Sequence, residues 1–387
     1  MDRNMNSNNT NISTTRKEPP FQFSIGKSAI AAACTIFLLI FFLCGRGGTP
    51  VDLSIGILLA LSGGFITFQI LRTGKINTYR LVLFIGMGIL FGVVFTLEHQ
   101  VNRGSILLTE KQLSNADVPI CPITIPFVLP PYYLRGAMIF PTSTGAMFGI
   151  VFFWLCFALL FGRGWCSWLC FFGGMDQACA VLAKKPLIKM GRLGKVGRLF
   201  PYALLLFLIL VALGALYPLY CAWLCPLRIA YDPPAVNSTR EWLMAIVFVS
   251  GGLIFLLGGP YLTKKRLYCG LICPLLPINS LVGKLSPFRV KIDRTLCNQC
   301  GVCFRECETF AMNPDTLERG EPVMECTKCG RCMDNCPTGA IEYRLLGTRD
   351  GIRPVFVSLA VVFNILITSS FILAFVHYLI TGKIRFF

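Results

Sequence analysis

The chain alternates between long apolar runs and short polar stretches. An α-helix of about 20 apolar residues crosses the hydrocarbon core of a bilayer, which is about 30 Å thick. Seven of the apolar runs approach or reach that length with almost no charged side chain, so the sequence predicts seven membrane spans. Their predicted bounds are Ser24–Leu43, Leu53–Leu71, Leu81–Leu97, Met147–Phe161, Phe200–Pro218, Trp242–Gly259 and Pro354–Leu379.

Two stretches are polar rather than apolar. Residues 1–23 are rich in Asn, which predicts disorder, and Ile30–Leu43 then predicts an uncleaved signal anchor. Charged residues return from Arg289 to Arg349, which predicts a soluble domain there. The predicted division is a disordered N-terminus (1–23), a membrane domain with six helices (24–288), the soluble domain (289–349) and a C-terminal transmembrane helix (350–387). The predicted fold class is an all-α polytopic membrane protein with an inserted α+β domain.

Composition and charge support a membrane protein. The chain is 55% hydrophobic and only 14% charged, and its formal net charge is +17. The cations lie in short loops at the ends of apolar runs rather than in one basic stripe, which excludes a nucleic-acid partner. The four cationic groups contain Arg16, Lys17, Lys27; Arg72, Lys75, Arg80; Lys184, Lys185, Lys189, Arg192, Lys195, Arg198; and Lys264, Lys265, Arg266. If the spans alternate, all four fall on one side. By the positive-inside rule, that side is the cytoplasmic side of a prokaryotic inner membrane. The N-terminus and the soluble domain are then predicted to lie on the same side.

The soluble stretch carries two cysteine runs with the spacing C-x₂-C-x₂-C-x₃-C. This is the bacterial ferredoxin spacing, in which the fourth Cys of each run ligates the other cluster. The predicted ligands are Cys297, Cys300, Cys303 and Cys336 for one [4Fe–4S] cluster, and Cys326, Cys329, Cys332 and Cys307 for a second. A zinc ribbon separates its Cys pairs by a longer insert. Glu308 stands where Pro commonly follows the fourth Cys, whereas Pro337 is present in the second run.

Three further cysteine pairs have the spacing C-x₃-C, each just beyond a predicted span. On a helix, residues i and i+4 share one face, so each pair offers two thiolates to one centre. Cys166 and Cys170 follow the fourth span, and Cys269 and Cys273 follow the sixth, both at the cytoplasmic edge. Together they predict an inner [4Fe–4S] cluster, with Cys179 as an alternative ligand.

The third pair, Cys221 and Cys225, follows the fifth span at the external edge. The topology brings Cys44 and Cys121 to that edge as well, which predicts an outer cluster ligated by these four residues. A disulfide competes with this interpretation, either Cys221–Cys225 or Cys44–Cys121. The mid-span Cys34 and Cys156 are predicted to be buried as small apolar side chains.

The chain has two histidines, His99 and His377, near the external ends of the third and seventh spans. They offer ligands for one haem, but haem proteins of this kind usually hold more His, so haem is disfavoured. Glu98 and His99 predict a quinone site at the membrane edge, because an ionisable pair there can accept a proton from a quinol. Solvated loop residues are the alternative. The segment Ser143–Met147 resembles a covalent flavin attachment sequence, but Met147 stands where that sequence needs Thr, so FMN is disfavoured.

The order of these motifs resembles a known family. Arg163-Gly-Trp-Cys166-Ser-Trp-Leu-Cys170, then Tyr268-Cys269-Gly-Leu-Ile-Cys273-Pro, then two ferredoxin runs, resembles the NapH-type membrane ferredoxins, which are quinol dehydrogenase components. MauN-type, NosR-type and CcoG-type proteins are similar in this core. Phe171 replaces the Pro expected after Cys170, and the extra spans and the Cys221–Cys225 pair exceed the NapH pattern.

The resemblance implies a membrane iron–sulfur electron-transfer protein, an electron-transfer subunit of an oxidoreductase complex. Its predicted partners are membrane lipid, quinone or quinol, and a reductase, ferredoxin or multihaem cytochrome subunit. The alternative is an assembly factor of the CcoG type that handles or reduces copper.

Overall fold

The computed structural model describes residues 22–45, 49–102, 127, 144–190, 194–215, 220, 224, 238–346, 348 and 351–382. Most of them are helical. The α-helices are α1 (Ile25–Cys44), α2 (Pro50–Thr73), α3 (Ile76–Asn102), α4 (Thr144–Phe161), α5 (Trp165–Trp168), α6 (Phe171–Leu182), α7 (Lys195–Ala215), α8 (Thr239–Leu253), α9 (Gly259–Thr263), α10 (Leu275–Val282), α11 (Val302–Glu306), α12 (Pro314–Arg319), α13 (Arg331–Asp334) and α14 (Arg353–Thr381). The strands are β1 (Phe288–Ile292) and β2 (Ile341–Leu345).

Six of the described helical segments are long and apolar enough to cross a bilayer. They are Ile25–Cys44, Pro50–Thr73, Ile76–Val94, Trp154–Leu182, Val196–Gly214 and Arg353–Thr381. The chain is therefore a helical membrane protein. The α3 helix continues to Asn102, past the predicted end at Leu97. The count of seven stays a prediction.

The remaining predicted span, Trp242–Gly259, is not one regular helix. The α8 helix ends at Leu253, a π-helical turn covers Ile254–Gly258, and α9 follows. Pro260 has no N–H to donate to the preceding turn, which accounts for the changed hydrogen bonding upstream of it. A hydropathy pattern cannot detect this change because the apolar run itself is continuous.

The membrane helices pack around α14 and the α1–α2 pair. Phe356, Val357, Ala360 and Val361 on α14 are almost fully buried. The α1 and α2 helices approach closely at Gly64, where a Cβ would lie 2.3 Å from the Ile36 side chain. Only glycine fits such an approach, so this contact fixes the register of the two helices.

The soluble stretch forms a small α+β unit, which we call the ferredoxin domain. Its two strands, β1 and β2, pair antiparallel with Phe288 opposite Leu345 and Ile292 opposite Ile341. Phe288, Val290 and Ile292 face inwards, as expected from alternation along a strand. Both cysteine runs lie between the strands, so the sheet closes the domain around them. The predicted bounds of the four chain regions stay a prediction.

Candidate iron–sulfur sites

The four cysteines of the first predicted cluster lie around one cavity. The same concave space is lined by Cys297, Cys300, Cys303 and Cys336. Burial and the nearby thiols of Cys300, Cys297 and Cys336 raise the pKa of Cys303 to about 12. We call these four the distal set. Cys300 is exposed, so this set is open to solvent.

The four cysteines of the second predicted cluster also lie together, and we call them the proximal set. Burial and the neighbouring Cys329, Cys326 and Cys307 raise the pKa of Cys332 well above that of an ordinary thiol. The Ala311 N–H donates to the Cys307 sulfur over 3.1 Å. Such a hydrogen bond stabilises a cysteine sulfur that carries negative charge.

The two C-x₂-C loops share one backbone conformation. Gln299 and Lys328, each directly before the second Cys of its run, have φ angles of 56° and 52°. Gly301 and Gly330, each directly after it, have φ angles of 71° and 81°. In each loop the cysteine between two residues of the left-handed region has an ordinary negative φ, and such alternation turns neighbouring N–H groups towards one concave side, which suits an anionic centre. The repeated spacing thus corresponds to a repeated loop.

The inner pairs are deeply buried, and we call Cys166, Cys170, Cys269 and Cys273 the inner set. Their exposed fractions are between 3% and 8%. Neither pair lies on a regular α-helical turn, so the prediction of an i, i+4 helical face is wrong in detail. The Cys170 N–H donates to the Trp165 carbonyl, and the Cys273 N–H donates to the Tyr268 carbonyl, in each case from residue i+5. Cys269 and Cys273 therefore lie at a π-helical turn, whereas Cys166 lies in the short helix α5 and Cys170 lies just beyond its end.

A repeated arginine accompanies each inner pair, and the sequence analysis missed it. Arg163 precedes Cys166 by three residues, and Arg266 precedes Cys269 by three residues. Both guanidinium groups are buried. Arg266 donates to the Cys166 carbonyl, and Arg163 donates to the Cys269 carbonyl over 2.9 Å. Each arginine thus links its own cysteine pair to the other pair by a hydrogen bond. The repeated Arg-x-aromatic-Cys-x₃-Cys pattern is the sequence signal that could have predicted these arginines.

The surroundings of the inner set fit an anionic metal centre. Arg266 donates to the Cys269 sulfur over 3.2 Å, and the Asn279 side-chain amide lies 3.7 Å from the Cys166 sulfur. Buried donor atoms of Arg163 and Arg266 have no hydrogen-bond partner among the described residues. Burial raises the pKa of Cys269 and Cys273, so thiolates form here only when cationic charge offsets them. Four thiolates, two guanidinium groups and orphaned donors suit a [4Fe–4S] cluster.

The inner set and the proximal set belong to interlocked segments. Arg163 donates to the Glu325 carbonyl, Ser167 to the Thr327 carbonyl, and the Trp168 indole to the Lys328 carbonyl. The three acceptors lie in the loop that carries the first two proximal cysteines. The chain between the two inner cysteines is therefore hydrogen-bonded directly to the chain between two proximal cysteines.

Glu308 is a buried ion-pairing residue at this junction. Its carboxylate pairs with Arg331 and accepts a hydrogen bond from Gln177 over 2.9 Å. Burial alone would raise the pKa of Glu308, but Arg80, Arg331 and Arg266 outweigh it and lower the pKa below the usual value. The absence of Pro after Cys307 thus accompanies a specific electrostatic contact between the ferredoxin domain and the membrane domain.

Several predicted site residues cannot be placed. Cys121, Cys221 and Cys225 lie outside the described residues, as do the side chains of Glu98 and His99. Cys44 is half-buried at the end of α1. Cys179 is half-buried on α6, and the Nδ1 atom of His377 lies 3.0 Å from the Thr381 hydroxyl.

The prediction that Cys34 and Cys156 are buried is wrong. Both side chains are exposed on the surfaces of apolar helices. Their positions face outwards from the helix bundle, where a small apolar side chain can contact lipid instead of protein.

Tyr220, which directly precedes Cys221, lies next to the inner set. Its hydroxyl is hydrogen-bonded to that of Tyr268, which directly precedes Cys269. Both rings are buried, and Tyr220 stacks on Phe127 with ring centroids 5.4 Å apart. Tyr220 therefore contacts the segment that carries the second inner pair through the Tyr268 side chain.

Two family models, both described as a 4Fe-4S binding domain, match this chain. One covers residues 324–342, which contain the second ferredoxin run. The other covers residues 143–189, 199–235 and 244–293, so each of its segments contains one C-x₃-C pair. Segments similar to 4Fe-4S binding domains thus occur both in the ferredoxin domain and around the C-x₃-C pairs.

Three curated proteins illustrate the similarity. The methylamine utilization ferredoxin-type protein MauN of Methylorubrum extorquens is 31% identical over 23% of this chain and 46% of its own length. The regulatory protein NosR of Pseudomonas aeruginosa is 30% identical over 41% of this chain and 22% of its own length. The ferredoxin-type protein NapH of Haemophilus influenzae is 26% identical over 40% of this chain and 50% of its own length. The chain spans half the length of these relatives or less.

No solved structure matches the chain. The similarity covers the segments with the cysteine motifs, and the apolar helices agree with it. The resemblance found in the sequence is therefore confirmed: over these segments the chain is similar to the ferredoxin-type proteins MauN and NapH and to NosR.

Proposed function

We propose that this membrane protein transfers electrons between the quinone pool or a cytoplasmic donor and a redox partner. The distal, proximal and inner cysteine sets would each hold one [4Fe–4S] cluster, which accepts and releases one electron at a time. The main support for this proposal is that Arg163, Ser167 and Trp168 donate hydrogen bonds to carbonyls of the proximal loop, the loop of residues 325–328 that leads into the proximal set. They hold two ligand-bearing segments in a fixed relation, as electron transfer between neighbouring centres requires.

The different exposure of the three cysteine sets supports an order in which electrons pass between them, with the distal set nearest to a soluble partner. Cys300 of the distal set is exposed, whereas all four members of the inner set are buried. The exposed Cys300 makes the distal set the one that a soluble partner can approach most closely among the described residues. We place the ferredoxin domain on the cytoplasmic side, because the cationic loops lie on that side of the predicted spans.

The tyrosine pair supports a link to the external side. The hydroxyl groups of Tyr220 and Tyr268 meet inside the protein, and each tyrosine directly precedes a cysteine of a C-x₃-C pair. An outer cluster ligated by Cys44, Cys121, Cys221 and Cys225 would then lie within reach of the inner set. Under this proposal the protein conducts electrons across the membrane.

Proteoliposomes test this function. Ferricyanide is trapped inside vesicles that contain the full chain, and dithionite is added outside. We expect the trapped ferricyanide to be consumed with the wild-type protein and with Cys156→Ala, whose side chain is exposed on a membrane helix. Cys269→Ala should consume none. Reduction of the protein without consumption in the wild type would contradict transfer across the membrane, and bound copper without clusters would favour the assembly-factor alternative.

A further inference from the structure

A buried arginine of a membrane helix lies at the junction of the inner and proximal sets. Arg80 is in the second turn of α3, and its side chain is fully buried. The segments that match the 4Fe-4S binding models do not include α3. A guanidinium group taken out of water is costly unless hydrogen bonds and opposite charge compensate it. The surroundings of Arg80 therefore indicate what its charge does.

The start of α3 is fixed against the second ferredoxin run. The Asp334 carboxylate accepts hydrogen bonds from the N–H groups of Ile76 and Asn77. Gly330, with a φ angle of 81°, approaches Ile76 so closely that a Cβ would lie 2.8 Å from that side chain. Residues i and i+4 of a helix share one face, so Arg80 lies on the same face of α3 as Ile76. The helix thus presents Arg80 to the ferredoxin domain.

Arg80 connects the inner and proximal sets. Its Nη1 atom donates to the Ser167 carbonyl over 2.8 Å, and Ser167 directly follows Cys166 of the inner set. The Ser167 hydroxyl in turn donates to the Thr327 carbonyl of the proximal loop. Arg80 also interacts electrostatically with Cys329 of the proximal set. Its charge therefore acts on both sets.

Neighbouring side chains hold the guanidinium of Arg80 in place. The Nη2 atom donates to Oδ1 of Asn77 over 2.7 Å, and the guanidinium carbon lies 5.6 Å from the centre of the Phe84 ring. Arg266 lies over the same ring at 5.4 Å. Two cations beside one ring repel each other, so both stay buried only where anionic charge offsets them.

The buried charge around the two sets is mainly cationic. The buried carboxylates there are those of Asp176 and Glu308, and Glu308 also pairs with Arg331. The buried cations among the described residues of this region are Arg80, Arg163, Arg266 and Lys328. Four thiolates make a [4Fe–4S] cluster an anionic centre, so clusters in the inner and proximal sets offset the excess of positive charge.

We propose that Arg80 is a positioning and charge-compensating residue that raises the reduction potential of the iron–sulfur centres at this junction, which rests on the electron-transfer function proposed above. Uptake of one electron from a donor such as dithionite adds one negative charge and neither forms nor breaks a bond. Arg80 stabilises the added charge, because its guanidinium is held in place and stays protonated. The membrane helix α3 thereby makes the junction easier to reduce.

A redox titration of the purified full-length protein with its clusters, followed by electron paramagnetic resonance, tests this role. Arg80→Gln removes the charge. Asn77→Asp places a carboxylate against Nη2 and leaves the hydrogen bond to Ser167, so it offsets the charge without removing the side chain. In both variants we expect at least one cluster to become about tenfold or more harder to reduce, which corresponds to a potential about 59 mV lower.

Two further variants separate the buried charge from other effects. Arg80→Lys keeps the charge and should restore most of the wild-type potential. Lys75→Gln removes an exposed cation directly before α3 and should change no potential. Unchanged potentials in Arg80→Gln or in Asn77→Asp would overturn the proposal. So would a fall in Arg80→Lys or Lys75→Gln equal to that in Arg80→Gln. If Arg80→Gln loses its clusters, Asn77→Asp decides.

Iron and acid-labile sulfide are measured on the same samples. Intact clusters with unchanged potentials would reject the role of Arg80 and leave the electron-transfer function standing. Absence of clusters from the wild type would reject that function itself.

Discussion

Buried charge at single residues holds the ferredoxin domain to the membrane domain. Glu308 has a side chain only 2% exposed, pairs with Arg331 of its own domain and accepts a hydrogen bond from Gln177 of the membrane domain. Glu306 pairs with the same arginine but is 32% exposed. A buried ion pair that loses one partner leaves an uncompensated charge, whereas an exposed pair contributes little. The two glutamates therefore form a matched comparison.

Glu308→Gln should destabilise the protein by about 3–5 kcal/mol, because Arg331 and the nearby Arg80 and Arg266 lose their anionic partner. Glu306→Gln should cost less than about 1 kcal/mol. Thermal unfolding of the purified chain in detergent measures both. Equal shifts for the two variants would contradict the assignment of Glu308 as the buried partner.

At the scale of the elements, loops and helix ends join the domains. The α5 segment donates from Ser167 and Trp168 to carbonyls of the proximal loop. The α3 helix begins against α13, where the Asp334 carboxylate accepts from the N–H groups of Ile76 (3.1 Å) and Asn77 (2.6 Å). A side chain of the ferredoxin domain thus caps a membrane helix.

The double variant Ser167→Ala/Trp168→Phe should loosen the proximal loop. Each lost hydrogen bond costs about 0.5–1.5 kcal/mol, and the buried carbonyls are left without these donors. Hydrogen–deuterium exchange across Cys326–Cys332 should rise. In the control Ser250→Ala, whose hydroxyl donates within α8, it should stay unchanged. Unaltered exchange in the double variant would show that these bonds do not hold the loop.

Asp334→Ala should fray the first turn of α3, at a cost of about 1 kcal/mol. Faster amide exchange at Ile76–Tyr79 is the expected readout. Asp315→Ala removes a carboxylate from the first turn of α12 and should leave α3 unchanged. Equal exchange at Ile76–Tyr79 in the wild type and Asp334→Ala would exclude the cap.

At the scale of the whole molecule, motif spacing predicted which residues belong together but not how the domains meet. The C-x₂-C runs and the apolar runs are local patterns, and the four cysteines predicted for the first cluster line one cavity. The assignment of ligands to clusters stays a prediction. The reciprocal contacts of Arg163 and Arg266 and the burial of Glu308 depend on residues about a hundred positions apart, which spacing does not reveal. The C-x₃-C spacing predicts one α-helical turn, so the hydrogen bonds from Cys170 and Cys273 to carbonyls five residues earlier could not be predicted from it.

The proposed electron transfer through the membrane domain requires a third cluster in the buried inner set. Iron and acid-labile sulfide per chain test it in the wild type, in Cys269→Ala and in the control Cys156→Ala. With about four irons per cluster, we expect about twelve in the wild type, or about sixteen with the outer set loaded. Cys269→Ala should lose about four and Cys156→Ala none. About eight irons in all three proteins would contradict the account.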